Sequence, residues 1–393
     1  MAPNYDEAAV PVYRLPELFQ MEDGRPVADL EAWQRERRPE LLKLFCEQVY
    51  GNQPPLLAFE VERVESGPAF EGKAEREQVR LWFGRQDGGK GQQKAFIDLL
   101  IYRPAHVAGP LPLFLGLNFR GNATTAHDPA IRETASWRKE AWPRGDQALR
   151  WPFEQAIGRG HAVATFYYGD VAPDDAGRWR DGVPRVAFPQ ATGDPGESEP
   201  GAVAWWAWGL SRALDYLLRS GRYDPRRVAV VGHSRQGKAA LWAAAQDERF
   251  TLAISNNSGC TGAALARRCF GETIAVITTA FPHWFCGRYR HFADREAELP
   301  VDQHQLLALI APRPLYVASA SEDLWADPRG EYLSALEAAP VYERMGHPAG
   351  LGPEPPPTGI SVGGRIGYHL REGKHSITEW DWEQFFRFAQ RVW

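Results

Sequence analysis

The stretch that decides the fold is Val228-Ala-Val-Val-Gly232-His233-Ser234-Arg235-Gln236-Gly237-Lys238-Ala-Ala240. A short apolar run enters Gly-x-Ser and leaves into an Ala-rich helical stretch. That is the strand–turn–helix context of a nucleophile elbow, in which a sharp turn lifts a serine hydroxyl above a sheet. Small residues flank such a turn because the strand and helix backbones approach closely, and the helix N-terminus offers N–H groups to an oxyanion. The spacing here is Gly-x-Ser-x-x-Gly, with the second glycine one place later than in the common form. A serine at a helix start is also an ordinary N-cap. The strand before Ser234 and the basic pair Arg235 and Lys238 after it favour the nucleophile.

Outward from this point, short apolar runs at 111–117, 162–167, 252–255 and 315–318 alternate with helical stretches at 151–158, 202–219, 235–246, 302–308 and 330–343. That alternation predicts βαβ units and a mostly parallel central sheet between helical layers, a three-layer α/β/α sandwich. Upstream, an amphipathic helix over 29–49 stops at Gly51. Three alternating runs at 57–64, 78–83 and 95–102 then predict an antiparallel N-terminal edge. A last helix spans 377–392. Long irregular segments at 119–150, 171–200 and 345–363 interrupt the plan. Two of them leave strands at the edge where a parallel sheet carries its site. We expect a single catalytic domain over 1–393. Gly88-Gly-Lys-Gly91 lacks a following helix and the spacing of a phosphate loop, and reads as a turn.

Composition excludes several function classes. The chain has 393 residues, with 45 Lys+Arg against 50 Asp+Glu and a net charge of −5. A nucleic-acid surface needs a basic face instead. Hydrophobic residues are 44% and charged residues 24%, a globular balance. No apolar run approaches the roughly 18 residues of a membrane span. Met1-Ala2-Pro3-Asn4-Tyr5-Asp6 has no signal-peptide pattern, so the protein is either cytoplasmic or a mature chain with an added Met1. Cys46, Cys260, Cys269 and Cys286 show no zinc-ligand spacing, and one disulfide stays open. Nothing suggests a metal or an organic cofactor. The unusual figure is 15 Trp. It reflects either a large core or flat apolar platforms of the kind sugars stack on.

A nucleophilic serine needs a base and an orienting acid, in the chain order Ser, Asp or Glu, His for such a sheet. Of the 10 His, only His369 and His375 lie between the final strand-like run and the last helix. His369 falls inside the alternating run 365–370 and reads as structural. His375, in the loop Arg371-Glu-Gly-Lys-His-Ser376, is the candidate base. The acid should follow the run 315–318, in Ser319-Ala-Ser-Glu322-Asp323-Leu-Trp325-Ala-Asp327-Pro328. Asp327, before a proline and a helical run, also reads as an N-cap. We take Asp323, with Glu322 and Asp327 as alternatives.

Together, Gly232-His-Ser-Arg-Gln-Gly-Lys238, Asn257-Ser-Gly259, Ala263-Ala-Leu-Ala-Arg-Arg268-Cys-Phe-Gly-Glu272-Thr, Phe281-Pro-His-Trp-Phe285 and Asp323-Leu-Trp325-Ala-Asp-Pro328 resemble the glucuronoyl esterases of carbohydrate esterase family 15, the bacterial branch in particular. The resemblance runs from about residue 14 to the C-terminus. It implies an α/β-hydrolase fold and a Ser-His-acid triad that works through an acyl-enzyme. It implies cleavage of the ester between glucuronic or 4-O-methylglucuronic acid side groups of xylan and lignin alcohols. Matched by motif, Ser234 is the nucleophile, His375 the base and Arg235 the arginine that supports the oxyanion. Lys238, Glu272 and Trp325 match positions that contact the uronate. Many relatives place the triad acid directly before the Ser-Gly that follows the family's sixth strand, and here that position is Asn257. An amide cannot stabilise an imidazolium, so the acid comes from the family's other location, where Asp323 stands.

The partner expected is therefore a glucuronoxylan or lignin–carbohydrate ester, with no nucleic acid and no membrane. The native protein is expected to be a monomer, secreted or periplasmic. The competing readings are another carbohydrate esterase, acting on acetyl xylan or feruloyl esters, and a non-catalytic carbohydrate-binding protein. Residue by residue, Lys238 could be a solvated helix position, Glu272 a partner of Arg267 or Arg268, and Trp325 simple packing. Of the tryptophans, Trp33, Trp380, Trp382 and part of Trp205-Trp206-Ala-Trp208 read as core. Trp325 is the platform candidate, and Trp284 a weaker second.

Overall fold

The protein is described by a computed structural model that covers residues 3–84 and 94–393; the turn read at Gly88–Gly91 lies outside the described residues. Ten strands form one sheet: β1 (Phe59–Ala69), β2 (Ala74–Phe83), β3 (Ala95–Pro104), β4 (Leu111–Asn118), β5 (Ala162–Tyr167), β6 (Tyr223–His233), β7 (Leu252–Asn256), β8 (Leu315–Ala320), β9 (Ser361–Gly363) and β10 (Ile366–Arg371). Their order is β1-β2-β3-β5-β4-β6-β7-β8-β10-β9. The first three strands pair antiparallel, as the alternating runs predict, and β3 meets β5 antiparallel. From β5 to β10 the pairs are parallel. A short antiparallel strand, β9, closes the far edge out of the segment read as a loop at 345–363. This is the expected α/β-hydrolase arrangement, extended by one strand at each edge.

The alternation of side chains along the central strands builds two cores. Leu111, Leu113, Leu115 and Leu117 of β4, with Val228 and Val230 of β6, face helices Ala202–Arg219, Arg235–Gln246 and Pro328–Arg344. Phe114, Ala229 and Val231 face the opposite layer, helices Phe153–Gly158 and Glu379–Val392. Helix Ala202–Arg219 is buried over most of its surface, which accounts for its near-continuous apolar sequence. Trp205, Trp206, Trp33, Trp179, Trp242 and Trp382 are all fully buried. Most of the Trp excess is therefore core.

Two local departures have clear causes. The run at 228–231 is the middle of an 11-residue strand. Its start carries Pro225, tolerated because the pairing with β4 shifts register between Leu111 and Leu113. The first helix runs from Leu30 to Tyr50 but widens into a π-turn at its end, Cys46–Tyr50, and earlier at Trp33–Arg37. Pro39, just beyond, has no N–H to donate back into the regular ladder. All four cysteines are free thiols. Among the described residues, no helix is long and apolar enough to cross a membrane, and no three side chains are grouped to hold a metal ion.

Candidate active site

Strands β6, β7, β8 and β10 deliver Ser234, Asn257, Asp323 and His375 to the same edge of the sheet, just beyond their C-terminal ends, where an open α/β sheet places its site. Ser234 sits at φ 58°, ψ −131°, between β6 and helix Arg235–Gln246. A non-glycine residue persists in that region only when its surroundings hold it there. Its N–H donates to the Asn256 carbonyl at 2.8 Å, and its carbonyl accepts from the Gly237 N–H at 2.8 Å. A Cβ on Gly232 would collide with the Gln236 carbonyl, and one on Gly237 would come within 2.9 Å of Ser258 Cβ. The late second glycine therefore has its own reason: it clears the strand β7 side of the turn. Arg235 and Gln236 open the helix, so their N–H groups have no acceptor one turn back.

His375 lies in the loop after β10, with its side chain 40% exposed. Its Nδ1–H donates to Asp323 Oδ2 at 2.5 Å, which leaves Nε2 free to accept a proton. Asp323 is buried, and the same Oδ2 accepts from Asn257 Nδ2 at 2.8 Å. Asn257 thus orients the Asp323 carboxylate. The His375 ring packs on His233, the residue before Ser234, with centroids 4.5 Å apart. Burial pushes the His233 imidazole well below its usual range, and the nearby His375 adds to the effect. His233 therefore adds no charge beside His375. The Ser234 hydroxyl makes no hydrogen bond among the described residues.

The other two carboxylates near Asp323 are occupied or exposed. Asp327 accepts from the Gly330 N–H at 2.9 Å and from Arg268 Nε at 2.8 Å. It caps helix Pro328–Arg344, as its place before Pro328 suggests. Glu322 is exposed. His369 is buried between Tyr316 and Asp381, 2.9 Å from each, and is structural.

Arg235 pairs with Asp174 and lies over the Trp284 ring at 4.7 Å and the Phe281 ring at 5.3 Å. Asp174 also accepts from Trp284 Nε1 at 2.7 Å, His283 Nε2 at 3.0 Å and the Tyr168 hydroxyl at 3.1 Å. Burial alone would raise the Asp174 carboxyl. The His283 hydrogen bond and the Arg235 charge overcome it and hold the group well below the usual range. Trp284 is buried at 2% exposure, so it seats Arg235 and is not a sugar platform. The sequence does not mark Asp174, which lies in the irregular segment 171–200, where no periodicity singles out any residue.

Lys238 is buried rather than solvated, with 3% exposure. Its ammonium donates to the Ser258 carbonyl at 2.8 Å, to the Cys260 carbonyl and to Glu272 Oε2 at 3.2 Å. Those contacts use all three of its donors. Arg267 pairs with Asp302 and Arg268 with Asp327, so Glu272 belongs to neither. The Glu272 N–H donates to the Trp325 carbonyl at 2.9 Å, which ties the two segments together. Trp325 itself is 40% exposed, unlike the core tryptophans.

Behind Asp323 lies Glu331, fully buried, with Oε2 accepting from Ser319 Oγ at 2.6 Å and Oε1 from the Gly259 N–H at 2.9 Å. Among the described residues no cation pairs with it. Burial pushes its carboxyl up to about 8. The folded state thus keeps a proton that the unfolded chain releases above about pH 4.5, so this contribution to stability is lost as pH rises from there toward 8. Glu331→Gln keeps the shape without the titration. The fall in Tm between about pH 6 and about pH 9 is expected to shrink by roughly 2–5 °C in thermal melts. Parallel pH profiles for the two proteins would refute this.

A family model described as "Glucuronyl esterase, fungi" matches residues 154–346. The chain is 44% identical to carbohydrate esterase MZ0003 from an unknown prokaryotic organism, over 98% of this chain and 91% of that protein. It is 27% identical to the 4-O-methyl-glucuronoyl methylesterase of Phanerochaete carnosa, over 85% of this chain and 73% of that protein. The solved structure of a glucuronoyl esterase from Solibacter usitatus aligns with a TM-score of 0.91 at 43% identity, covering 98% of this chain and 100% of that one.

Proposed function

The chain belongs to the glucuronoyl esterases of carbohydrate esterase family 15, which are carboxylic ester hydrolases, and on that premise we propose that it cleaves the ester joining glucuronic or 4-O-methylglucuronic acid side groups of xylan to lignin alcohols. The observation that carries this reading is the hydrogen bond from His375 to buried Asp323, on the sheet edge that also bears Ser234. In this reading Asp323 fixes the tautomer of His375, and His375 Nε2 takes the Ser234 proton as Oγ attacks the ester carbonyl. The oxyanion is stabilised by Arg235 and the N–H groups at the helix start. His375 then returns the proton to the leaving alcohol, and water resolves the acyl-enzyme by the reverse sequence.

In the same reading the uronate lies over Glu272 and Trp325. Lys238, with its donors already used, holds Glu272 rather than the sugar, and Trp325 offers the exposed ring that a pyranose stacks on. A fungal relative's name specifies a 4-O-methyl-glucuronoyl methylesterase, which supports the acyl side of this assignment. A polymer-bound ester cannot enter a cell, so the enzyme acts outside the cytoplasm.

Initial rates on benzyl glucuronate, an acetylated xylo-oligosaccharide and a feruloyl ester test the reading. The glucuronate ester is expected to give kcat/KM at least about 100-fold above the other two, because neither an acetyl nor a feruloyl acyl group carries the sugar ring that Glu272 and Trp325 would contact. Faster acetyl or feruloyl hydrolysis would reassign the enzyme to another class of carbohydrate esterase.

A further inference from the structure

On the opposite side of Ser234 from Glu272 and Trp325, a cavity of about 350 Å³ opens at Arg235. Most of its walls come from the segments that follow β4 and β5, on one side of β6; Arg235 and Phe281, the latter from the segment after β7, complete it, while Glu272 and Trp325 follow β7 and β8 on the other side. An acyl group held over Glu272 and Trp325 therefore directs its alcohol toward this cavity. Phe119, Trp137 and Trp142 give it aromatic walls, and its volume suits a substituted ring.

Its charge is less expected. Four cations line the cavity against two carboxylates, Glu140 and Asp174, in a chain whose net charge is −5. Arg235 and Asp174 are committed to each other. Arg120 pairs with Asp146 and stacks 3.4 Å from the centre of the Trp142 ring. Arg138 and Lys139 differ from these. Arg138 donates to the Arg120 carbonyl at 3.3 Å, and neither residue makes an ion pair among the described residues. Two cations without acidic partners thus stand at the mouth of an aromatic cavity beside the reacting centre. Arg138 is half-buried and Lys139 exposed, and such groups bind a carboxylate through charge-assisted hydrogen bonds.

We propose that this cavity is the alcohol-side subsite and that Arg138 and Lys139 make it select alcohols whose aromatic ring carries a negative group, such as a ring carboxylate. The proposal rests on the esterase reading above. The test compares kcat/KM for the 4-carboxybenzyl and benzyl esters of glucuronic acid, with methyl glucuronate as a substrate that lacks a ring. At low salt the carboxybenzyl-to-benzyl ratio is expected to exceed about five, and it should fall toward one at high salt. In Arg138→Gln/Lys139→Gln the ratio should drop to about one even at low salt. A wild-type ratio of one or less at low salt overturns the proposal, as does a ratio that the double variant leaves unchanged. If the double variant does not fold, the salt dependence of the wild-type ratio decides. Failure of the wild-type protein on all three esters would instead sink the esterase reading itself.

Discussion

Ser234→Ala is expected to lower kcat on benzyl glucuronate by about 10⁵-fold or more, His375→Ala nearly as much, and the double variant no further than either alone. The reason is that the two side chains act as one unit. Without the hydroxyl, His375 has nothing to deprotonate; without the imidazole, the hydroxyl keeps its ordinary, weakly nucleophilic state. What survives each loss is the same residue of catalysis, from Arg235 and the helix N-terminus. Both substitutions should be mild for the fold. The Ser234 hydroxyl makes no hydrogen bond among the described residues, and His375 is 40% exposed. Tm is expected to move by no more than about 2 °C. The measurement is single-turnover and steady-state kinetics on the two single variants and the double. Losses that multiply in the double variant would show that the two residues act independently, and a Ser234→Ala protein retaining a tenth of the activity would remove Ser234 from the chemistry.

The sequence makes Ser234 conspicuous because its requirements are local. A buried strand, a glycine where any Cβ would strike the Gln236 carbonyl, and a helix start all fall within a dozen residues. His375 is reached by chain order, since its loop lies between the last parallel strand and the last helix. The sheet is legible for the same local reason, because strands buried on both faces read as continuous apolar runs. What escapes is everything set by packing between distant segments. Lys238 looks like a solvated helix position until the Ser258–Cys260 turn and Glu272, remote in sequence, close over it. Asp174 acquires its role only when Arg235, His283 and Trp284 converge on it. Trp325 and, more weakly, Trp284 read as platforms in the sequence, yet Trp284 is sealed under Arg235 while Trp325 stays 40% exposed.

Asp323→Asn is expected to lower kcat by about 10⁴-fold while leaving KM within a few-fold, whereas Asp327→Asn should leave kcat nearly untouched. The first effect follows from the loss of charge beside His375. Asp323 Oδ2 now accepts from two donors, His375 Nδ1 and Asn257 Nδ2. Asn257 is fixed in a left-handed turn at φ 47° and is buried, so its amide keeps donating. An asparagine at position 323 can set its amide oxygen in the place of Oδ2 and still accept from both donors, but that oxygen carries no negative charge to stabilise an imidazolium. The imidazolium would thus lose the only carboxylate in contact with it among the described residues. Asp327 has no such link to His375. It pairs with Arg268 and caps a helix, and an asparagine still caps. Burial already pushes the Asp327 carboxyl up, and Arg268 offsets this only in part. The expected cost is therefore a stability loss of about 1–3 kcal/mol, mostly from leaving buried Arg268 less well paired. Kinetics and thermal melts on the two variants separate these outcomes. A steep loss of kcat in Asp327→Asn with normal turnover in Asp323→Asn would reverse the assignment.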